Sequence, residues 1–223
     1  MRTNAAASSK NSTRLQPLEP ENSHTSASHA VLFYEHDSEL LDTLAQSVST
    51  AIMAGNSAIV IATRAHHNQL SALLKSRSVE TYAAVLESRL FLLDAEETLA
   101  RFMVDGQPDS ARFAQALGPT IAQLVANARG ESPSTFIFGE TAPLLWEQGK
   151  YDAALRLEQL ANELLASSSA NILCAYPTRL FAGETHTSFA AEICGLHSCV
   201  IPSQDRSGPR STENPSPTIP VNP

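Results

Sequence analysis

Residues 30–62 read AVLFYEHDSELLDTLAQSVSTAIMAGNSAIVIA, and this stretch decides the fold. It opens on an apolar run, 30–34, and closes on another, 58–62. Between them Leu40, Leu41, Leu44, Val48 and Ile52 recur at helical spacing and make one apolar face, with Ser38 placed to cap the helix and Gly55 to end it. Strand, amphipathic helix and strand in about thirty residues form a βαβ unit.

The theme continues outward. Further strand-like runs fall at 90–93, 135–138 and 171–175. Helical periods are read at 65–75, 97–104 and 109–128, the last with Phe113, Leu117, Ile121 and Leu124 on one side. They continue at 143–148, with a proline in the first turn, at 151–166, with Leu157, Leu160 and Leu164 inward, and at 188–197. The strands are continuous apolar runs without in-out alternation, as a parallel sheet covered on both faces requires. The sequence therefore predicts an α/β fold: a three-layer αβα arrangement around a mainly parallel sheet of at least five strands. Ligands in such folds sit at the carboxyl ends of the strands.

At both ends the character changes. Residues 1–28 are dominated by Ser, Thr, Ala and Asn, and residues 203–223 hold five prolines among polar neighbours. Neither segment can bury enough apolar surface to offset the entropy of ordering it, so both are expected to be disordered around a folded unit at 29–202.

The 223 residues are 43% hydrophobic and 17% charged, which suits one domain of ordinary size. A formal net charge of −8 without a basic patch argues against direct nucleic-acid binding. No apolar run is long enough to cross a bilayer. Cys174, Cys194 and Cys199 do not make a disulfide framework. Reduced thiols and a cytoplasmic location follow as expectations.

Motifs for enzyme chemistry are missing. A phosphate-binding loop needs a glycine-rich turn after a strand, ending in Lys and Ser or Thr. The single Gly-Lys pair, Gly149-Lys150, precedes Tyr151 and lies between two helices, while the first strand runs into Glu35-His36-Asp37, which repels phosphate. No G-x-G-x-x-G, nucleophile elbow or H-E-x-x-H is present. No enzymatic activity and no cofactor are expected.

Several residues invite more than one reading. Cys194, His197 and Cys199 have metal-ligand chemistry but only three members, and the plainer reading is small buried cysteines beside a hydrogen-bonded histidine. Glu140 follows the strand at 135–138, where a polar-pocket or helix-capping role competes with catalysis. Trp146, the only tryptophan, is read as core in preference to a ligand-stacking surface. Tyr34 and Tyr176 close strands, each with a hydroxyl able to reach a pocket mouth or to be satisfied in the core. His66-His67 at a helix start is read as a neutral, exposed pair, because a charged imidazole is poorly placed there.

A series of segments, in order from His29 to Pro202, resembles the MEDS family, the methanogen and methylotroph sensory domain. It comprises His29-Ala30-Val31-Leu32-Phe33-Tyr34, Ala58 to Thr63, Arg89-Leu90, Leu93-Asp94-Ala95, Phe102-Met103, Gly106, Pro108-Asp109 and Phe138-Gly139-Glu140. It continues through Leu144-Leu145-Trp146, Leu157-Glu158, Asn162-Glu163-Leu164, Cys174-Ala175-Tyr176-Pro177, Ile193-Cys194 and His197-Ser198. The resemblance implies a RecA/KaiC-like P-loop NTPase fold without its P-loop, acting as an input domain that senses small organic compounds such as hydrocarbon derivatives. It adds His29 and His197 to Tyr34, Glu140, Trp146 and Tyr176 as candidate ligand-binding residues. Its members are often fused to histidine kinase or helix-turn-helix segments, and neither is found in this sequence. Output through a histidine kinase or transcription regulator in trans, or through a homodimer, is therefore expected. The sequence departs from the family pattern at His67, Ser88 and Ala161. Ala161 stands where a tryptophan is common, which would enlarge or reshape a pocket.

The leading expectation is a non-catalytic sensory or regulatory domain with a small organic ligand near Tyr34, Glu140, Trp146 and Tyr176. The alternatives are a ligand-free module docking on a kinase or regulator, and a residual nucleotide-binding enzyme using Glu140.

Overall fold

The computed structural model describes residues 28–77, 80–130, 133–166, 168, 170–182 and 187–201. Of the tails expected to be disordered, residues 1–27 and 203–223 lie outside the described residues, while Ser28, expected in the first tail, opens β1. In chain order the elements are β1 (Ser28–Tyr34), α1 (Asp37–Met53), β2 (Ser57–Ala62), α2 (Arg64–Arg77), α3 (Glu80–Leu86), β3 (Leu90–Asp94) and α4 (Ala95–Phe102). There follow β4 (Met103–Val104), β5 (Gln107–Pro108), α5 (Ser110–Asn127), β6 (Thr135–Gly139), α6 (Thr141–Glu147), α7 (Tyr151–Leu165) and β7 (Ala170–Pro177). A 3-10 turn (Thr178–Phe181), α8 (Thr187–Leu196) and β8 (Cys199–Ile201) complete it.

The six long-range strands form one sheet in the order β3-β2-β6-β7-β1-β8, and every pairing is parallel. Alternation then divides the apolar residues between two cores. From β2, Ile59 and Ile61 enter one core and Ala58, Val60 and Ala62 the other. Helices α1 to α3 cover the second face through residues such as Leu44, Leu70 and Ala84, and α4 to α8 cover the first through Leu99, Leu117, Leu145, Leu157 and Ile193. The molecule is thus a three-layer αβα domain, as the uninterrupted strand runs require.

Helix α1 shows what sets a boundary here. It begins at Asp37 with His36 in the capping position and no side-chain cap, so Ser38 lies inside the first turn and does not cap it as expected. Burial of Leu40, Leu44, Val48 and Ile52, at about 1.5–3 kcal/mol each, outweighs a missing cap of about 1 kcal/mol. At the other end Gly55, at φ +78°, closes the helix: its N–H donates to Ile52 O and that of Asn56 to Ala51 O. This is the paired bonding of a glycine-terminated helix.

Helix α4, the β4-β5 hairpin, α3 and β8 differ from the sequence expectation. The helix expected at 97–104 spans Ala95–Phe102, started by Asp94, whose carboxylate accepts from Glu97 N–H at 3.0 Å. The chain then turns through Asp105 and Gly106, both at positive φ, into the β4-β5 hairpin. Helix α3 and edge strand β8 were not anticipated: seven residues and three residues are too few to show a period.

Candidate functional site

Strands β2 and β6 are neighbours, yet the helix after β2 packs on one face of the sheet and the helix after β6 on the other. Diverging connections leave a crevice at the carboxyl ends of the strands, the place where open α/β sheets bind ligands. In this protein the crevice is a cleft of about 220 Å³ whose walls include Tyr34, Thr63, His66, Glu140, Glu147 and Arg179.

Glu140 forms its floor. Register pairs Ile61 with Gly139, so Glu140, one residue beyond β6, meets the turn that follows β2. One carboxylate oxygen accepts from the Thr63 N–H at 2.8 Å, and the other lies 2.5 Å from His66 Nδ1. Glu140 is the residue before α6 but makes no side-chain cap to it. Both members of the pair are buried.

His66 is therefore not the exposed neutral imidazole read from sequence. The hydrogen bond to Glu140, opposed by burial and reinforced by the charges of Glu140 and Asp37, raises its pKa above the ordinary histidine value. An unfavourable helix-terminus dipole amounts to about 0.3–1 kcal/mol, whereas a buried hydrogen bond to a charged group contributes about 1.5–3 kcal/mol. The carboxylates prevail. His67, its neighbour, is half-buried and turns back toward Val60 O at 3.5 Å. At the cleft wall, burial and then the nearby Glu140 and Asp37 charges push the Tyr34 phenol up, so it remains protonated. Arg179 pairs with Glu147 at 2.8 Å across the rim, both partly exposed.

Trp146 and Tyr176 do not join this cleft. Tyr176 pairs in register with Phe33, and Tyr34 with Pro177, so the two tyrosines point to opposite faces of the sheet. Tyr176 and Trp146 lie in an aromatic cluster with Tyr151, Phe181 and Phe189, and the indole N–H donates to Leu180 O at 3.2 Å. Trp146 is 3% exposed.

His29 and His197 lie deeper on that same face, in a buried polar cluster with Glu158 and Cys174. Glu158 is the center: Tyr176 O–H donates to Oε1 at 2.5 Å and the Cys174 thiol to Oε2 at 3.2 Å, while His29 Nε2 stands 3.3 Å from Oε2. Burial opposes the charge on Glu158, but the His197 and His29 imidazoles beside it outweigh burial and hold its carboxyl well below the usual range. Burial, then the Glu158 charge, pushes the Cys174 thiol and the Tyr176 phenol well up. For His197 the opposing effect of burial is overcome by Glu158, and its pKa is raised.

The Cys194, His197, Cys199 grouping is not what folding assembles. Cys194 is half-buried and Cys199 exposed, against the buried pair expected, and His197 turns to Cys174, Glu158 and His29. Sequence reasoning missed Glu158 and His66. A signal for Glu158 was present: Ala154, Leu157, Glu158 and Ala161 share one helix stripe, so a carboxylate interrupts an apolar face. Ala161 also lines a second, apolar cavity of about 50 Å³ among Phe102, Phe113, Leu157 and Ile172, which reaches Glu158 and Cys174. The departure at Ala161 thus falls on a pocket wall.

Fold and crevice together define a three-layer α/β domain with a polar cleft at its switch point and a buried histidine-carboxylate-thiol cluster beneath one sheet face. The chain belongs to the MEDS family: residues 28–197 match MEDS, described as the methanogen/methylotroph, DcmR sensory domain. No curated protein matches the chain. No helix among the described residues is long and apolar enough to cross a membrane.

Proposed function

We propose that this chain is a non-catalytic sensory domain that binds a small polar organic molecule in the strand-end cleft and transmits occupancy to a partner protein. The observation that carries the reading is the Glu140 carboxylate: it lines the cleft and simultaneously holds the N-terminus of α2, through Thr63 N–H and His66. A ligand that hydrogen-bonds Glu140 competes directly with those two contacts. Different affinities for the two arrangements are all that a sensor requires.

A non-catalytic role is supported by the β1-α1 connection, where Glu35 and Asp37 stand in place of a phosphate-binding loop. The partner is proposed as a histidine kinase or transcription regulator in trans. Met53, Leu86 and Val125 are exposed near the carboxyl ends of α1, α3 and α5, at the pole opposite the cleft, and offer an apolar surface for it. A second reading places a small apolar compound in the inner cavity beside Cys174, which its nearly all-hydrocarbon lining favours.

Calorimetric titration of the folded chain with a panel of small alcohols, amines, carboxylates and halocarbons tests the proposal. A saturable heat that Glu140→Gln weakens at least tenfold supports the cleft. A compound whose binding Glu140→Gln leaves unchanged moves the site to the inner cavity, and no binding by any compound overturns the sensor reading.

A further inference from the structure

The buried cluster on the α7 side of the sheet has features that hydrogen bonding alone does not explain. His29 from β1, Glu158 from α7, Cys174 from β7 and His197 just beyond α8 each aim one atom inward, and the four atoms lie within 4.8 Å of one another. The individual separations are 3.3 Å for His29 Nε2 to Cys174 Sγ and 3.3 Å for His29 Nε2 to Glu158 Oε2. Cys174 Sγ to Glu158 Oε2 is 3.2 Å, and His197 Nε2 to Glu158 Oε2 is 3.5 Å. A tetrahedral zinc ion has bonds of about 2.0–2.2 Å to nitrogen and oxygen and about 2.3 Å to sulfur, which makes the edges between its ligand atoms about 3.3–3.6 Å. These four of the six separations match those edges within a few tenths of an ångström, and the other two, from His197 Nε2 to His29 Nε2 and to Cys174 Sγ, lie within 4.8 Å.

The surrounding bonds orient each group as a ligand. Asn162 donates through Nδ2 to Leu196 O at 2.9 Å, which turns its Oδ1 to His29 Nδ1 at 3.0 Å. His197 Nδ1 lies 2.6 Å from Ile193 O. Both Nδ1 atoms thus donate to carbonyl oxygens, so Nε2 is the atom each ring directs at the center, where an ion would take its lone pair in exchange for any proton held there. Tyr176 occupies Oε1 of Glu158 and leaves Oε2. Three atoms, His29 Nε2, His197 Nε2 and Glu158 Oε2, then converge on the single thiol of Cys174, and His197 Nε2 is buried without a hydrogen-bond partner among the described residues. Such outer bonds, here on both histidines and on the carboxylate, are the hallmark of metal sites.

We propose that His29, Glu158, Cys174 and His197 form a binding site for a divalent transition metal of the zinc class. One thiolate, one carboxylate and two neutral imidazoles carry a charge of −2, which the ion balances inside an apolar core. Thiolate with imidazole selects zinc over magnesium or calcium. The ion ties α7 and the end of α8 to β1 and β7, and so fixes the edge on which β8 pairs. The exposed Cys199 and half-buried Cys194 take no part.

The test uses the full chain, stripped with a chelator and shown to be folded by circular dichroism. Titration with cobalt(II) is expected to saturate at one ion per chain, with a thiolate-to-cobalt absorption band that zinc abolishes and with a raised thermal midpoint. Cys174→Ser should lose the band, Cys194→Ser and Cys199→Ser should keep it, and Asn162→Ala should weaken binding about 10- to 100-fold. A folded wild-type chain that takes up no cobalt overturns the proposal, leaving a proton as the sole occupant of the cluster. A band that survives Cys174→Ser and disappears in either other cysteine variant overturns it as well.

Discussion

Glu140 Oε1 lies 2.5 Å from His66 Nδ1, joining two residues 74 positions apart at the mouth of adjacent strands. The contact exists because β2 and β6 pair in a register that sets Ile61 beside Gly139, and because α2 starts immediately after Thr63. It couples the floor of the cleft to the first turn of a helix.

This pair makes stability depend on pH in a definite direction. The His66 pKa is raised in the folded state above its ordinary value of 6.5. Its contribution is therefore complete below about pH 6.5 and is lost as pH rises through the folded value. The urea midpoint of the wild type should fall over that range, with a limiting slope of about 1.4 kcal/mol per pH unit. In Glu140→Gln the slope over the same range should flatten, and an unchanged profile would remove the pair as its source.

Tyr176→Phe keeps the ring in the aromatic cluster and removes the bond to Glu158. Because that oxygen is buried, with Tyr176 0% and Glu158 1% exposed, the variant should lose about 1–3 kcal/mol in chemical denaturation. A loss below about 0.3 kcal/mol would mean that the carboxylate finds another donor.

How much of this was legible in sequence depends on the range of the interaction. Strands β1, β2, β3, β6 and β7 announce themselves because each is a continuous apolar run bounded by turn residues. The hairpin at 103–108 carried an Asp105-Gly106 signal, which the adjoining helical period at 97–104 masked. Glu140 was found because a strand end is a local feature. Its partner His66 was not, because only the pairing of β2 with β6 brings them together. The same holds for the tyrosines: Tyr34 and Tyr176 both end strands, but which face each takes depends on the register Phe33 with Tyr176, which no local pattern encodes.

Trp146 provides an internal reporter. Buried against Tyr151, Phe181 and Phe189, it should emit at short wavelength and resist quenching by acrylamide. Its N–H bond to Leu180 O, in the turn that also carries Arg179 of the cleft rim, should make its emission shift when the cleft is occupied. Trp146→Ala should cost about 3–5 kcal/mol.

Gly55→Ala tests the closure of α1. The position has φ +78°, and an added Cβ would stand 3.0 Å from Gly130 N and 3.2 Å from Arg129 C, both backbone atoms. Strain and crowding together should lower stability by about 1–3 kcal/mol in thermal or urea unfolding, and a neutral outcome would contradict the described turn.

The most direct test of the sensor reading is a two-dimensional amide NMR titration of the chain with each compound that gives a calorimetric signal. The account predicts shifts concentrated at Thr63 to His67 and at Glu140 to Leu144, where the Glu140 contacts to the α2 terminus are replaced. Shifts confined to residues around Phe113, Leu157 and Ala161, with the Thr63 and His66 amides unmoved, would contradict it and assign sensing to the inner cavity.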